Sequence, residues 1–492
     1  MRKTGILLPI FSLASKYGIG DLGEGAYRFV DFLKASGQSY WQILPIGPTT
    51  IGDSPYQSPS AYGGNPYFIS PEILIKEELL HPGETAEISN KKKIDYAHLY
   101  NTRYIMLKKA FARFDRKDKK YLEFCKENED WLPDHSLYFA LKKHFNLLPF
   151  NEWNEGIKHR VSSDIDHYRD RFEEEIEFHN FVQYKFYEQW MNLKKYANEK
   201  GIKIIGDIPI YVSYDSSDVW KNPELFQLDE KLLPESVAGC PPDNFAKDGQ
   251  LWGNPLYRWS EHKKNNYAWW EKRLRHSLTL FDVVRIDHFR GFDEYYAIPY
   301  GEETARLGEW KKGPGNELFH SIGKVGDKEN IIAEDLGFIT PSVRELLADT
   351  GYSGMKILQF AFDERDGGDK SEHLPHSYPE NSVAYTGTHD NQTLLSWVLT
   401  ITEKEFEKVR DYLSDYYTPK EKLNFPMIAE VLKSPARLTV IPMQDYLELS
   451  DDARINTPGN PFGNWDFRLN FGELTEELSG KIKKMTELTG RI

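Results

Sequence analysis

The chain has 492 residues and a formal net charge of −14, from 62 Lys and Arg against 76 Asp and Glu. This length is ample for a large core, and the acidic balance argues against nucleic acid or an anionic membrane surface as a partner. Two cysteines exclude a disulfide framework and a cysteine-rich metal site, and no run of about 18 apolar residues predicts a membrane span.

The first predicted element is a β-strand over residues 5–13, GILLPIFSL. Arg2 and Lys3 before it and the small residues at its end give it the composition of a short signal peptide. Pro9, however, interrupts the apolar run, whose seven residues are the lower limit for the apolar region of a signal peptide. The same residues fit a buried strand ended by a glycine-containing loop. We therefore predict a strand here and a cytoplasmic protein.

Short apolar runs bounded by turn residues recur along the whole chain, a pattern typical of buried parallel strands. After the first run they lie at 39–47, 202–212, 281–289, 330–337, 355–362, 382–390 and 436–447. Helical stretches separate most of them: 24–36 and 178–200 each stop at a glycine, and Thr340 with Pro341 should open another. Strands alternating with helices in this number predict an α/β fold, a (β/α)8 TIM barrel, with an open doubly wound sheet as the alternative.

The predicted strands are unevenly spaced, which indicates insertions into the barrel. We expect a barrel over 1–70 and 196–492, a helical subdomain over 71–195, and smaller insertions at 213–266 and 290–329. All three insertions, expected to be largely helical, leave from the carboxyl ends of strands, where barrel active sites lie. The residues after the last predicted strand suffice for a closing helix at 473–488 but not for a C-terminal β domain.

Several motifs that would indicate a cofactor or a metal are missing or misplaced. The G-x-G-x-x-G pattern at 18–23 begins several residues beyond the strand, and no acidic residue closes the second strand, so an ordinary loop is favoured. The sequence contains no H-E-x-x-H, C-x-x-C, G-x-S-x-G or P-loop motif. The aspartates of 363–369 lie three apart, unlike the ligands of an EF-hand, and predict a solvated loop. We predict no cofactor and no metal.

Ionisable residues stand where three predicted strands end. Arg285 and Asp287 share one face of a strand, so the guanidinium should keep that carboxylate ionised. Glu334 follows an apolar strand, and burial there should raise the pKa of its carboxyl. His389 with Asp390 closes another strand. An ionised carboxylate, a protonated carboxyl and a third acid beside a histidine suit glycosidic bond chemistry. For any single acid a salt bridge or helix cap is the alternative, and position alone leaves the reaction class open.

The segments around these residues resemble a known family. GDIPIYV, VRIDHFRG, AEDLG and TGTHDNQT, in this order, resemble the four barrel-strand signatures of the α-amylase superfamily. Segments 54–66 (SPYQSPSAYGGNP), 239–257 and 454–468 resemble more narrowly the 4-alpha-glucanotransferases of glycoside hydrolase family 77. With the opening LLPIFSLASKYGIGDLG, the resemblance covers most of the chain and implies a barrel without a terminal β domain.

The resemblance implies a role for each acid. Asp287 matches the nucleophile, Glu334 the general acid/base and Asp390 the residue that stabilises the transition state. Each role agrees with the residue's surroundings in the sequence: Arg285 favours an ionised Asp287, and burial favours a protonated Glu334. Asp390 would hold sugar hydroxyls in bonds that strengthen as the oxocarbenium character develops.

Further residues are expected to contact the sugar. His288 and His389 would bind hydroxyls, Tyr56 and Trp252 would stack on glucose rings, and Asn456 would make a polar contact.

The implied reaction is retaining transfer of α-1,4-glucan segments from a maltooligosaccharide to the 4-hydroxyl of glucose or an oligosaccharide. The same acids serve hydrolases, so the preference for transfer rests on the resemblance and is credited to loops 51–66 and 239–257 excluding water. The alternatives are an α-amylase-type retaining hydrolase and a non-catalytic glucan-binding protein. Neither a nucleic acid nor a membrane is expected as a partner.

Overall fold

The structure is a computed structural model that describes residues 2–50, 52–85, 88, 93–242, 247–323, 325–363, 371–460 and 462–492. Most of the solvated loop expected at 363–369 lies outside the described residues. The β-strands, numbered in chain order, are β1 (Lys3–Leu7), β2 (Tyr40–Gln42), β3 (Lys203–Pro209), β4 (Ser236–Cys240), β5 (Gln250–Pro255), β6 (Val283–Asp287), β7 (Glu294–Pro299), β8 (Glu309–Lys312), β9 (Ile331–Ala333), β10 (Gly354–Ile357), β11 (Ser382–Tyr385) and β12 (Leu438–Pro442).

The α-helices are numbered in the same way. They are α1 (Glu24–Ala35), α2 (Pro71–Lys76), α3 (Tyr96–Arg113), α4 (Lys119–Glu127), α5 (Leu132–His144), α6 (Glu155–Lys158), α7 (Ser162–Arg171), α8 (Glu173–Glu199), α9 (Ser217–Lys221), α10 (Trp259–Lys264), α11 (Ala268–Leu280), α12 (Asn316–Ile322), α13 (Pro341–Thr350), α14 (Leu394–Thr400), α15 (Glu403–Leu413), α16 (Asn424–Lys433), α17 (Met443–Tyr446) and α18 (Glu476–Leu488). As predicted, α1 and α8 end before glycines, and Thr340 caps α13 by accepting a hydrogen bond from the backbone N–H of Val343.

Eight parallel strands form a nearly closed barrel in the order β10-β11-β12-β1-β2-β3-β6-β9. The remaining gap between β9 and β10 is bridged where the backbone N–H of Ala333 donates to the carbonyl oxygen of Ser353 at 2.9 Å. Each barrel strand overlaps one of the predicted apolar runs. The predicted TIM barrel is confirmed, and the open doubly wound sheet is excluded because the two edge strands meet.

The alternation of side chains along the barrel strands decides which residues reach the site. Ile205 of β3 and Val283 of β6 pack inside the barrel, whereas their neighbours Ile204 and Val284 pack outward against the helices. Because side chains alternate with a period of two, every second residue after Ile205 and Val283 also lies on the interior face. This periodicity brings polar residues to the carboxyl-terminal mouth of the barrel, above an apolar interior.

Helices α2 to α8 lie between β2 and β3 in the chain. The long helix α8 packs on α3, α4 and α5 and also on α1 and β3, so it belongs both to this helical layer and to the wall of the barrel. The boundary expected at residue 195 falls inside α8. Hydrophobic residues recur at helical spacing along α8, including Phe178, Val182, Phe186 and Trp190, all buried.

The two smaller insertions pair with each other in a second sheet. Strands β4 and β5 from the first insertion and β7 and β8 from the second form an antiparallel sheet in the order β5-β4-β7-β8. Val237, Tyr296, Ile298 and Ala305 give it a small apolar core against which Trp310 packs. These strands differ from the largely helical insertions predicted from the sequence. They form because β4 and β7, far apart in sequence, satisfy each other's backbone groups.

The described residues after β12 contain no β-strand, and α18 forms the closing helix expected at 473–488. The short helix α17 lies within the run predicted as a strand over 436–447, where β12 ends at Pro442. Thr475 caps α18 by accepting a hydrogen bond from the backbone N–H of Leu478 at 3.1 Å. Within the described ranges, none of the helices combines the length and apolar character needed to cross a bilayer.

Candidate active site

The three predicted acids lie at the carboxyl ends of barrel strands. Asp287 is the last residue of β6, Glu334 follows β9 directly, and Asp390 lies on the loop after β11. Since β6 and β9 are neighbours in the barrel, Asp287 and Glu334 lie side by side in the sheet order. The carboxyl ends of a closed parallel barrel surround one cavity mouth, so residues from several strands meet there.

Arg285 stands between two aspartates inside the barrel mouth. Its Nη1 lies 2.6 Å from Oδ2 of Asp207, and its Nη2 lies 2.9 Å from Oδ1 of Asp287. Asp207 and Arg285 are direct partners in the register of β3 and β6. The side chains of Arg285 and Asp207 are only 4% and 0% exposed, against 28% for Asp287. The guanidinium therefore fixes one oxygen of Asp287, whose side chain stays partly exposed.

Asp207 is a site residue that the sequence analysis did not single out. Burial raises its pKa to about 7, the neighbouring charge of Asp287 adds to the increase, and Arg285 opposes it. The sequence does hold an indication: Asp207 is the one acidic residue of the otherwise mostly apolar strand β3, two positions after the interior residue Ile205. A buried charge of this kind needs a partner, and Arg285 supplies it.

Glu334 is held by backbone groups and is buried. Its Oε2 accepts a hydrogen bond from the N–H of His288 at 2.7 Å, and its Oε1 accepts one from the N–H of Leu336 at 2.8 Å. Burial raises the pKa of Glu334 to about 8, helped by repulsion from Asp287 and opposed by Arg285 and the two N–H groups. At neutral pH this carboxyl therefore carries a proton, which suits a general acid.

His288 adopts a left-handed backbone conformation, with φ of 54°, directly after the strand. This conformation is unfavourable for a side chain larger than glycine, and here it accompanies the N–H donation to Glu334. The imidazole meets the ring of Trp252 edge-on at 4.7 Å, and burial lowers its pKa to about 3. His288 is therefore neutral, and its Nε2 is buried without a hydrogen-bond partner in the described part of the chain.

Asp390 is positioned by the segment that follows β12. Nδ2 of Asn456 donates to its Oδ1 at 2.6 Å, and Arg454 donates to its backbone oxygen at 2.6 Å. Nε2 of His389 lies 3.3 Å from the same Oδ1, and burial lowers the pKa of that imidazole. The Asp390 side chain is 43% exposed, so its second oxygen is open to a ligand.

Tyr56 connects the two halves of the site. Its hydroxyl donates to Oδ2 of Asp207 at 2.8 Å, and its ring stacks on His389 with centroids 5.1 Å apart and planes 12° apart. Trp465, from the segment that resembles the family, lies 5.8 Å from the Tyr56 ring and 5.9 Å from His389. One face of Tyr56 is thus already covered by protein, which limits how it can meet a sugar.

The structure brings all the predicted site residues into one connected group. Contacts run from Asn456 through Asp390 and His389 to Tyr56. From Tyr56 they continue through Asp207 and Arg285 to Asp287. Beside Asp287 lie Glu334, His288 and Trp252. Asp207, Arg454 and Trp465 are additional members. No group of three or more His, Cys, Asp or Glu suited to a metal ion occurs among the residues that the structure describes.

Comparison with known proteins now adds to this geometry. The family model for 4-alpha-glucanotransferase, glycoside hydrolase family 77, matches residues 8–475. The chain belongs to this family. It is similar to the 4-alpha-glucanotransferase of Clostridium butyricum, 48% identical over 98% of this chain and 100% of the relative, and to that of Aquifex aeolicus, 44% identical over 100% of each chain.

Solved structures of the family share the fold over the whole chain. The amylomaltase of Streptococcus agalactiae, solved in complex with acarbose, superposes with a TM-score of 0.96 at 40% identity over 100% of both chains. The amylomaltase of Corynebacterium glutamicum, at 19% identity, has a TM-score of 0.75 over 99% of this chain and 75% of its own. Family membership and the barrel thus agree with the resemblance noted from the sequence segments.

Proposed function

We propose that this 4-alpha-glucanotransferase cuts an α-1,4-glucan, holds the released segment covalently on Asp287 and passes it to the 4-hydroxyl of an acceptor sugar. The family assignment supports the reaction class. One observation carries the mechanism: a buried carboxyl with a pKa of about 8, Glu334, lies beside an aspartate that Arg285 holds in place. A proton donor next to a carboxylate nucleophile is what retaining glycoside chemistry requires.

In the first step, a carboxylate oxygen of Asp287 attacks the anomeric carbon while Glu334 gives its proton to the glycosidic oxygen. The bond between C1 and that oxygen breaks, and the shortened chain leaves with the proton. The salt bridge to Arg285 holds one oxygen of Asp287, which leaves the other to form the ester bond. Glu334 is then ionised, and the N–H groups of His288 and Leu336 stabilise its charge.

In the second step, the 4-hydroxyl of an acceptor attacks C1 and gives its proton to Glu334, and the ester bond to Asp287 breaks. Inversion at each step gives net retention, and both residues return to their starting states. Because repulsion from an ionised Asp287 contributes to the high pKa of Glu334, release of Asp287 also restores the acid for the next cycle.

The remaining site residues are proposed to hold the sugar that becomes attached. Asp390 would bind two hydroxyls of that sugar, and Asn456 keeps its carboxylate aimed by a 2.6 Å hydrogen bond. His389 and His288, both neutral, would donate to or accept from hydroxyls. Trp252 offers an aromatic face near His288, and Tyr56, already stacked on His389, would meet the sugar with its free face or edge.

Transfer rather than hydrolysis requires that an acceptor sugar reach the ester before water does. The relatives are named for transfer, and loops 51–66 and 239–257 are proposed to exclude water around the ester. Gln57 of the first loop is bonded to the second, since its Nε2 donates to Oδ1 of Asn254 at 3.0 Å and to the carbonyl oxygen of Trp252 at 3.1 Å. The proposed substrates are maltooligosaccharides and α-1,4-glucans, with glucose or an oligosaccharide as acceptor.

Incubation with maltotriose alone tests the reaction. Transfer produces glucose together with oligosaccharides longer than the substrate, at a constant number of reducing ends. An α-amylase-type hydrolase produces only shorter sugars, and each cut adds a reducing end. Only shorter products would therefore replace the transferase proposal with the hydrolase alternative.

The Asp287→Ala variant separates an enzyme from a glucan-binding protein. It should lose turnover yet still bind acarbose in calorimetry, because the contacts of Asp390, Trp252 and His389 remain. If wild-type protein binds acarbose but turns over no maltotriose, the non-catalytic alternative is correct.

We also propose that the helical layer over 71–195 and the insertions at 213–266 and 290–329 frame the sugar site, and that the protein acts in the cytoplasm. The stretch whose composition resembles a signal peptide contributes β1, where Ile6 and Leu7 are buried between the strands on either side. A segment that forms the barrel wall in this way is needed in the folded protein. Fractionation of expressing cells would test the location.

A further inference from the structure

A group of three residues, Arg290, Trp310 and Phe338, joins the loops that follow the two central carboxyls. Arg290 lies three residues after Asp287, and Phe338 lies four residues after Glu334. Nη1 of Arg290 donates to the backbone oxygen of Phe338 at 2.5 Å, so the two loops are tied together. The group is completed by Trp310 of β8, over whose ring the guanidinium of Arg290 lies at 3.8 Å.

The surroundings of Arg290 are not what stability alone would favour. The residue is 3% exposed, and its Nε and Nη2 are buried with no hydrogen-bond partner in the described ranges. Burial of a guanidinium with so few hydrogen bonds is unfavourable, and stacking on Trp310 offsets only part of this cost. The feature that Arg290 fixes in place is the backbone of Phe338.

Phe338 presents its ring to solvent from a well-anchored position. The residue is 71% exposed, with the Arg290 guanidinium 5.9 Å from its ring centroid. Two residues earlier, Leu336 packs on the barrel interior cluster and donates its N–H to Glu334. An isolated exposed aromatic residue needs no explanation, but one held by a buried cation at the edge of a sugar site does.

The contacts place Phe338 on one side of the site. Glu334 contacts His288, whose ring meets Trp252, and Arg290, two residues after His288, lies over Trp310. Trp252 and Trp310 belong to β5 and β8, the two edge strands of the four-stranded sheet. Asp390, by contrast, contacts Asn456 and His389. His288 and Arg290 follow β6, and Glu334 and Phe338 follow its neighbour β9, whereas Asp390 follows β11. We call the first group, with the Trp252 and Trp310 rings that contact it, the Glu334 wall.

We propose that Phe338 is the stacking platform for the acceptor sugar. This inference rests on the proposed function, in which Glu334 protonates the departing oxygen and later accepts the proton of the attacking hydroxyl. The departing and attacking sugars therefore occupy the Glu334 wall, whereas Asp390 holds the sugar that stays on Asp287. An apolar ring face packed on the flat face of a glucose ring favours a sugar over water as the acceptor.

The test compares Phe338→Ala, Phe338→Tyr and Leu307→Ala with the wild-type enzyme. Leu307 is a matched control, because it is an exposed apolar residue, 67% exposed, on the same insertion as Trp310. With α-maltosyl fluoride as the donor, whose leaving group is not a sugar, incorporation of isotope-labelled glucose is measured against glucose concentration. Fluoride release reports donor cleavage, and new reducing ends report transfer to water.

Phe338→Ala should raise the half-saturating glucose concentration about three- to tenfold, as expected for loss of one aromatic contact, and should increase the share of hydrolysis. Fluoride release in the absence of glucose should stay within about twofold of wild type, because the departing fluoride needs no sugar platform. Phe338→Tyr should restore acceptor affinity, and Leu307→Ala should match wild type.

Two results would overturn the inference. An unchanged glucose dependence in Phe338→Ala shows that the ring does not bind the acceptor. An equal fall in transfer to glucose and to water shows that the ring acts only by shaping the loop of Glu334. A wild-type enzyme that incorporates no labelled glucose would instead contradict the proposed function itself, so the two failures are distinguishable.

Discussion

The backbone N–H of His288 donates to Oε2 of Glu334 at 2.7 Å, so the residue that follows the proposed nucleophile holds the proposed acid/base. This bond fixes the geometry of the two carboxyls relative to each other, because it joins the ends of β6 and β9. It also stabilises the ionised form of Glu334, against burial and the charge of Asp287, which favour the protonated form. Glu334 therefore sits between two protonation states, as a residue that must act first as an acid and then as a base.

The pH dependence of donor cleavage should report the raised pKa of Glu334. The first step needs protonated Glu334, and a pKa of about 8 keeps that form dominant through neutral pH, whereas an ordinary glutamate would lose it near pH 4.3. We expect kcat/KM for maltotriose to hold through pH 7 and to fall on the alkaline side, as measured in buffers of constant ionic strength. A fall in kcat/KM as the pH rises through about 5 would contradict the assignment.

Replacement of Glu334 should slow ester formation only with donors whose leaving group must be protonated. Glu334→Gln should lower the rate with maltotriose about 10²- to 10⁴-fold, because no group protonates the glycosidic oxygen. With α-maltosyl fluoride, whose leaving group needs no proton, the variant should still form the ester on Asp287 but release it slowly. Intact-protein mass spectrometry should then show the protein plus a maltosyl group, and peptide mapping should place it on Asp287. Modification of another residue, or equal loss with both donors, would contradict the roles.

Asp207→Asn should weaken catalysis without changing the shape of the site. Asp207 and Asp287 share Arg285, so loss of one charge should draw the guanidinium toward Asp287 and make that carboxylate a weaker nucleophile. We expect kcat/KM to fall about ten- to a hundredfold, the effect of losing a hydrogen bond between charged groups. Binding of acarbose, measured by calorimetry, should change little. Wild-type rates in this variant would show that Asp207 has only a structural role.

Asn456→Ala tests how Asp390 is aimed. In the proposed mechanism Asp390 binds sugar hydroxyls most tightly in the transition state, so its 2.6 Å hydrogen bond from Asn456 should matter more there than in the ground state. We therefore expect kcat to fall about tenfold while KM for maltotriose changes less than threefold. A rise in KM alone would instead indicate that Asn456 binds the substrate directly.

Arg491 should be important for stability and unimportant for catalysis. It is fully buried at the amino-terminal end of the barrel strands, away from the site. Its guanidinium donates to the backbone oxygens of Lys3, Leu432, Ser434 and Ala436. Arg491→Ala leaves these acceptors unsatisfied and should lower the free energy of unfolding by about 2–4 kcal/mol.

Denaturant unfolding measures this loss, with Lys484→Ala, an exposed residue of α18, as the control. The specific activity of folded Arg491→Ala should equal that of wild type at 25 °C. A parallel loss of activity at full folding would show that the two ends of the barrel are coupled.

The elements that local pattern specifies were predictable from the sequence. Each barrel strand is a short apolar run between turn residues, and α13 begins at the N-cap Thr340. Asp287, Glu334 and Asp390 stand at the ends of such strands within short segments resembling the family. Apolar runs and N-cap residues are patterns of residues close together in sequence, so the order of amino acids is enough to predict these strands and helix ends.

Other features depend on contacts between distant segments. Asp207 was not singled out because its partner, Arg285, is 78 positions away, and only the register of β3 and β6 aligns them. The four-stranded sheet was missed for the same reason, since its strands come from two insertions. The stacking of Tyr56 on His389 likewise joins the second strand's loop to the end of β11.

The sequence by itself thus determined the barrel and its order of elements, because these follow from local periodicity, and it placed Asp287, Glu334 and Asp390 at the ends of barrel strands. Only the tertiary structure decided which groups surround each acid. Closure of the barrel buries Glu334 beside Asp287 and sets its pKa near 8, and it ties Arg290 to Phe338. Burial and electrostatic interaction depend on distances through space, which sequence spacing does not fix.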